Sequence, residues 1–164
     1  MSCPFSQTNT KLHRSGFPNA PFPSPKIYAS LGLETIRELV RYHHQLMWQS
    51  DIQTVFGSDF THFTKTVEHT AHYFIEMLGG PKLFTTTRGE PRLGRRHKPF
   101  NLTPYHRAVW LDCFRQALKD KQIPLETAQA IWNWVEPLSM RFLTPRIEAE
   151  QLARKYLIEA KDYD

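Results

Sequence analysis

Gly79-Gly80-Pro81-Lys82-Leu83-Phe84-Thr85-Thr86-Thr87-Arg88-Gly89-Glu90-Pro91-Arg92-Leu93-Gly94-Arg95-Arg96-His97-Lys98-Pro99-Phe100 is the stretch on which the reading of this chain turns. It has no apolar period of its own. Its Gly and Pro residues break regular structure, so it reads as a long loop with at most one or two helical turns. A connection of this length is unusual inside a compact domain and is more often functional than idle. Near its end His97 stands among Arg95, Arg96 and Lys98. Taken alone, Arg-Arg-His-Lys is a solvated basic loop; its meaning depends on what flanks it.

Both flanks are helical in pattern. On the N-terminal side, Asp59 is a plausible N-cap for a helix running to Leu78. Its stripe is Phe63, Val67, Thr70/Ala71, Phe74 and Leu78, and Gly79-Gly80-Pro81 stops it. Further back, Leu33, Ile36, Val40, His43 and Met47 follow helical spacing. On the C-terminal side, Thr103-Pro104 is a helix start, followed by Trp110, Leu111, Phe114, Ala117 and Leu118. Pro124 opens another helix, with Ala128, Ile131, Val135, Leu138 and Phe142 on one face and a kink expected at Pro137. Strand signals are absent. The chain therefore reads as all-α: residues 1–26 an extended or disordered tail, 27–144 the helical domain, and 145–164 an additional amphipathic helix.

Composition narrows the classes. A length of 164 residues gives one core, and 13% aromatic content supplies enough flat side chains to line a pocket. A formal net charge of +5 suits an anionic ligand or an acidic partner and is too small to argue for nucleic acid. The two cysteines, Cys3 and Cys113, form no Cys-x-x-Cys, which argues against a disulfide scaffold, a zinc ribbon and covalently attached c-type haem. No secretory h-region and no membrane-length apolar run are visible. A soluble, cytoplasmic protein is expected.

The quoted stretch resembles the proximal segment of truncated haemoglobins, most of all their second group. There a Gly-Gly-Pro ends the E helix, a Gly-x-Pro-x-Leu loop follows, and an Arg-His-x-Pro-Phe run carries the proximal histidine. Trp110, in Arg107-Ala-Val-Trp, stands where the family has a Trp on its G helix, and Leu31-Gly-Leu-Glu-Thr-Ile looks like the start of the B helix. The resemblance spans roughly 27–144. It implies a truncated globin fold, a two-over-two helical sandwich, here with an N-terminal extension and an extra C-terminal helix. It also implies a non-covalent haem b, iron protoporphyrin IX, with His97 as the metal ligand.

The residue chemistry suits that reading. Neutral imidazole is the usual axial base for haem iron. Arg88, Arg92, Arg95, Arg96 and Lys98 offer cations for the two propionates. Phe56, Phe84, Leu93, Phe100 and Trp110 are candidate flat walls, and Tyr73 and Met77 are expected against the haem or in the core. Thr66 and Thr70 are the residues read as facing the ligand, with Thr66 where classical globins place a distal His. His69 could reach a propionate, whereas a zinc site from His69 and His72 lacks a third ligand.

The sequence departs from the family on the distal side. Where the B helix usually carries Phe-Tyr, this chain has His43-His44. These two and Trp110 are the candidate catalytic residues. A neutral His near iron can serve as general base toward peroxide, donate to bound oxygen, or ligate iron itself. The bland reading is a core histidine bonded to a carbonyl, and ordinary helix core for Trp110. The expected ligands are diatomic gases or peroxide. Peroxidase-like or NO-dioxygenase chemistry would draw on a separate reductase, since no nucleotide-binding fingerprint is present. A carrier or sensor without turnover, an electron-transfer globin with a distal His on iron, and a haem-free interaction module are the alternatives. A monomer or weak homodimer is expected.

Overall fold

A computed structural model describes residues 17–143 together with Arg154, Lys155 and Leu157. Every regular element among them is helical. In order these are α1 (Lys26–Leu31), α2 (Leu33–Trp48), a 3-10 turn (Gln53–Phe56) and α3 (Phe60–Met77). Next come α4 (Thr85–Arg88), α5 (Leu93–His97) and a 3-10 turn (Lys98–Phe100). The last are α6 (Pro104–Asp120), α7 (Leu125–Ser139) and a 3-10 turn (Met140–Phe142). No helix among the described residues is long and apolar enough to cross a membrane.

The four long helices form two layers. α2 lies against α3 and α6, and α6 against α7. Aromatic contacts close the sandwich: Phe74 of α3 meets Phe114 of α6 and Trp134 of α7, with ring centroids 6.0 and 5.3 Å apart. The expected stripes supply the core. Ile36, Leu39, Val40 and Met47 of α2 are buried, as are Leu111, Phe114, Ala117 and Leu118 of α6. Each large apolar side chain so buried contributes about 1.5–3 kcal/mol.

The helix ends follow local chemistry. The Asp59 carboxylate accepts from the His62 amide at 3.1 Å, relieving one of the orphan donors at the start of α3. The Thr103 hydroxyl accepts from the His106 amide, and the Thr103 amide donates back to His106 Nδ1 at 3.0 Å. His106, for which the sequence offered no role, thus takes the place usually held by Glu or Gln in a capping box. Pro137 falls in the last turn of α7, and the chain passes into a 3-10 turn instead of continuing as a kinked helix.

The segment ahead of α1 is docked where it is described. Phe17 is buried against Met140 and Leu143, and Arg141 donates from Nη2 to the Pro18 carbonyl at 3.0 Å. The helix read over 145–164 lies outside the described residues apart from Arg154, Lys155 and Leu157, and these three carry no helical assignment. Leu157 is buried in the main core, and the Trp132 indole donates to the Lys155 carbonyl at 3.0 Å.

α1 crosses the end of α3 at very close range. The Tyr28 amide donates to the Leu78 carbonyl at 2.9 Å. Gly79, at φ 106°, would drive any Cβ into the Pro25 backbone, and a Cβ on Gly80 would come within 2.7 Å of Ile75 and Tyr28. Gly79→Ala combines left-handed backbone strain with a backbone clash. It should destabilise the protein by roughly 3 kcal/mol or more. Urea unfolding of the variant checks this; a loss below about 1 kcal/mol would show that α1 yields easily.

Candidate functional site

Between α3 and the segment 84–102, the layers do not close. They leave a cavity of about 600 Å³, within the ~300–1,000 Å³ range of pockets that hold organic ligands and cofactors. Its walls are largely apolar, and no Asp or Glu lines it.

His97 sits at the C-terminus of α5 and lines this cavity. Its Nδ1 donates to the Leu93 carbonyl, one turn back, at 2.6 Å. That bond leaves Nε2 as the free lone pair. Phe142 stacks on the imidazole with centroids 4.2 Å apart and planes at 15°, which fixes its plane. Burial pushes the His97 pKa down against the opposing backbone bond, so the ring is held neutral, the form that ligates a metal.

Much of the surrounding scaffold was not legible in the sequence. Glu76 of α3 accepts from the amides of Phe84 and Thr85 at 3.0 and 2.9 Å, and from the Thr85 hydroxyl. It therefore caps α4 from another helix. Arg96 donates to the carbonyls of Pro91, Arg88 and Glu90 and lies over the Phe84 ring. It laces the loop together as well as lining the cavity. Arg92 and Asn101 bracket the proximal segment in left-handed backbone, φ 41° and 50°, at a cost of about 1 kcal/mol each. Strain of this kind clusters at functional sites.

Facing this segment, His43 and His44 part company. His43 is buried, with Nε2 donating to the Trp110 carbonyl at 3.0 Å. Its ring stands edge-on to Trp110 and Phe114, and it does not line the cavity. His44 does line it. The His44 Nδ1 donates to the Val40 carbonyl at 2.8 Å, leaving Nε2 free. Burial lowers both pKa values, His44 to about 4 and His43 well below its usual range, with the neighbouring His44 lowering His43 further.

Of the residues singled out from sequence, Phe56, Thr66, Thr70, Tyr73, Phe84, Leu93, Arg96, Phe100 and Trp110 line the cavity with His97 and His44. The Thr66 and Thr70 hydroxyls donate to helix carbonyls of His62 and Thr66, so each hydroxyl proton is committed to α3 itself. Besides His43, four stand elsewhere: Met77, Arg92, and the exposed Arg95 and Lys98. Met77 lies one turn past the part of α3 that faces the cavity and packs on the main core. Arg92 is exposed and pairs with Glu90 at 3.0 Å. His69 lines the mouth and accepts from Arg88 Nη1 at 3.0 Å. Among the described residues no group of three His, Cys, Asp or Glu could hold a metal by itself.

Sequence reasoning missed one wall outright. Arg107 of α6 is buried and lines the cavity. It donates to Glu136 of α7 at 2.8 Å and to the Ser139 hydroxyl at 2.9 Å. Arg154 closes on the same carboxylate at 2.7 Å. A buried carboxylate shared by two arginines is a tertiary fact; only the polar letters within apolar stripes hinted at it.

The family described as bacterial-like globin matches residues 26–144. The group 2 truncated haemoglobin YjbI of Bacillus subtilis (strain 168) is 28% identical over 124 residues, 75% of this chain and 91% of the relative. The crystal structure of phosphate-bound Hell's gate globin IV aligns with a TM-score of 0.83 at 34% identity, covering 93% of this chain and 97% of that one. The truncated oxygen-avid haemoglobin from Bacillus subtilis aligns at 0.67 with 25% identity, covering 72% and 98%.

Two outcomes follow from the buried groups. The unfolded chain holds His44 near 6.5 and the fold holds it at about 4. Between those values the unfolded state binds more protons, so stability is full above pH 6.5 and falls as the pH drops toward 4. His44→Phe should therefore narrow the gap between urea midpoints measured in neutral and mildly acidic buffer; an unchanged gap would place the acid sensitivity elsewhere. Glu136→Gln leaves two guanidinium groups without their carboxylate and should cost about 3–5 kcal/mol in the same assay.

Proposed function

The chain belongs to the bacterial-like globin family, with group II truncated haemoglobins among its relatives, and from that premise we propose that it holds a non-covalent haem b through His97 and processes small ligands beside His44. Haem-based ligand binding comes with the family. The observation that carries the finer reading is the tautomer of His97. Its Nδ1 proton is committed to Leu93, and Nε2 is left for a metal in an apolar cavity of about 600 Å³.

The donor set fits the group. One neutral imidazole serves the iron, aromatic and aliphatic walls serve the macrocycle, and Lys65, Arg88 and Arg96 at the mouth serve the propionates. When bound, haem supplies an iron centre that takes O2, CO, NO or peroxide. The protein supplies the proton handling. His44 Nε2 is neutral across the physiological range and can take a proton from one oxygen of hydrogen peroxide. It can then return that proton to the other oxygen, making it the better leaving group. The two electrons that complete reduction of peroxide to two waters come from an external donor, and the two protons from solvent. His43 positions Trp110 through its carbonyl, and Trp110 walls the site.

The free His44 Nε2 also supports a second reading, in which His44 takes the sixth position on iron and the protein carries electrons. Absorption spectra of hemin-loaded protein separate these readings. A Soret band that shifts with CO and is lost in His97→Ala supports the proposal. Absence of the band overturns it. Low-spin six-coordinate ferrous bands without added ligand would favour the second reading. In the first case, His44→Phe should slow peroxide turnover by about 10²-fold or more, with His43→Phe less damaging; equal rates in wild type and His44→Phe would remove His44 from the chemistry.

A further inference from the structure

The mouth of the cavity carries charge of one sign. Lys65 on α3 lies one turn before His69, and both line it; Arg88 faces them across the opening, its guanidinium on His69. Beyond Arg88, Arg95 and Lys98 stand three residues apart and are exposed. Next to them Phe100 walls the cavity, yet half of its surface, 50%, is exposed.

The nearby acids do not offset this charge. Glu68 turns to Arg37 and Arg41 on the α2 side, Glu76 is engaged with the start of α4, and Glu90 is taken by Arg92. Among the described residues, Lys65, Arg88, Arg95 and Lys98 are in no ion pair within the described set. A bound haem would draw on the inner cations, leaving Arg95 and Lys98, which do not line the cavity, facing solvent.

We infer that this basic collar, centred on Arg95, Lys98 and the exposed Phe100, is the docking surface for an acidic electron-transfer protein that delivers electrons through the cavity mouth. The inference rests on the haem reading above. The spread of the charge decides for a protein over a small anion. Cations stand on both lips of the opening and on the outer face of α5, around an exposed aromatic ring. Encounters that pass electrons are brief and small in area, and opposite charge steers them. In each encounter the donor is oxidised by one electron and ferric iron becomes ferrous; no covalent bond in the protein changes.

The test uses the full chain and, as probe, flavodoxin, a small acidic flavoprotein. Calorimetric binding of oxidised flavodoxin needs no haem and reads the surface by itself. Stopped-flow reduction of hemin-loaded protein by fully reduced flavodoxin reads the transfer. At low salt the wild type should bind flavodoxin, with a bimolecular reduction rate that falls about tenfold or more on adding salt. The double variant Arg95→Glu/Lys98→Glu should show that loss already at low salt, with unchanged haem content and CO spectrum. Lys119→Glu, at the far end of α6, should leave both readouts as in wild type. Rates indifferent to salt and to charge reversal overturn the inference, as does failure of flavodoxin to bind at low salt. An equal slowing of reduction by dithionite, a small anion, also overturns it, because the collar would then attract any anion. A missing Soret band overturns the haem reading instead and leaves the calorimetric result to judge the collar.

Discussion

The hydrogen bond from His97 Nδ1 to the Leu93 carbonyl decides which ring nitrogen is left for the cavity. An imidazole has two nitrogens, and which one faces a ligand is decided by what the other one meets. Here the partner is the backbone of the same short helix, so the ring can be no better placed than α5 is. A five-residue helix has little stability of its own. Its position comes from outside: Glu76 capping α4, Arg96 gathering three carbonyls, and Phe142 stacked on the ring. Left-handed Arg92 and Asn101 set the entry and exit of the chain. The local strain persists because these contacts over-determine it.

The opposite wall shows how one residue of offset divides two like side chains. Successive residues on a helix point about 100° apart. On α2 this directs His43 toward α6, where it holds the Trp110 carbonyl, and His44 toward the cavity. Both are buried and both are kept neutral by desolvation, but only His44 has its spare nitrogen beside open volume. A buried neutral base next to a cavity is a chemical resource; the same base walled in by aromatic rings is a spacer.

Charge is arranged by depth. Inside, the carboxylates bonded to the cavity wall are both engaged: Glu136 with Arg107 and Arg154, and Glu76 with the amides of Phe84 and Thr85. At the mouth, cations stand without acids beside them. Burying an unpaired charge is costly, whereas exposed charges of one sign cost little and act at a distance. The interior therefore stays neutral enough to hold an apolar ring, while the rim favours whatever is acidic.

The fold was legible because its signals are local. Apolar spacing marked α2, α3, α6 and α7, and Asp59, Gly79, Thr103 and Pro124 marked their ends, all within a turn or two of chain. His97 was legible as a candidate because its neighbours in sequence resemble a known proximal segment. The sequence could not say which of His43 and His44 meets the cavity, because the rotation of α2 is set by its packing on α3 and α6. Nor could it keep Met77 and Arg92 out of the walls, since helical spacing gives a face but not where along the helix the cavity ends. Arg107, Glu136 and Arg154 are separated in sequence and meet only when α6, α7 and the C-terminal segment are brought together. Local propensity and periodicity determined the elements; the site was decided by long-range packing, which alone determines which side chains share a volume.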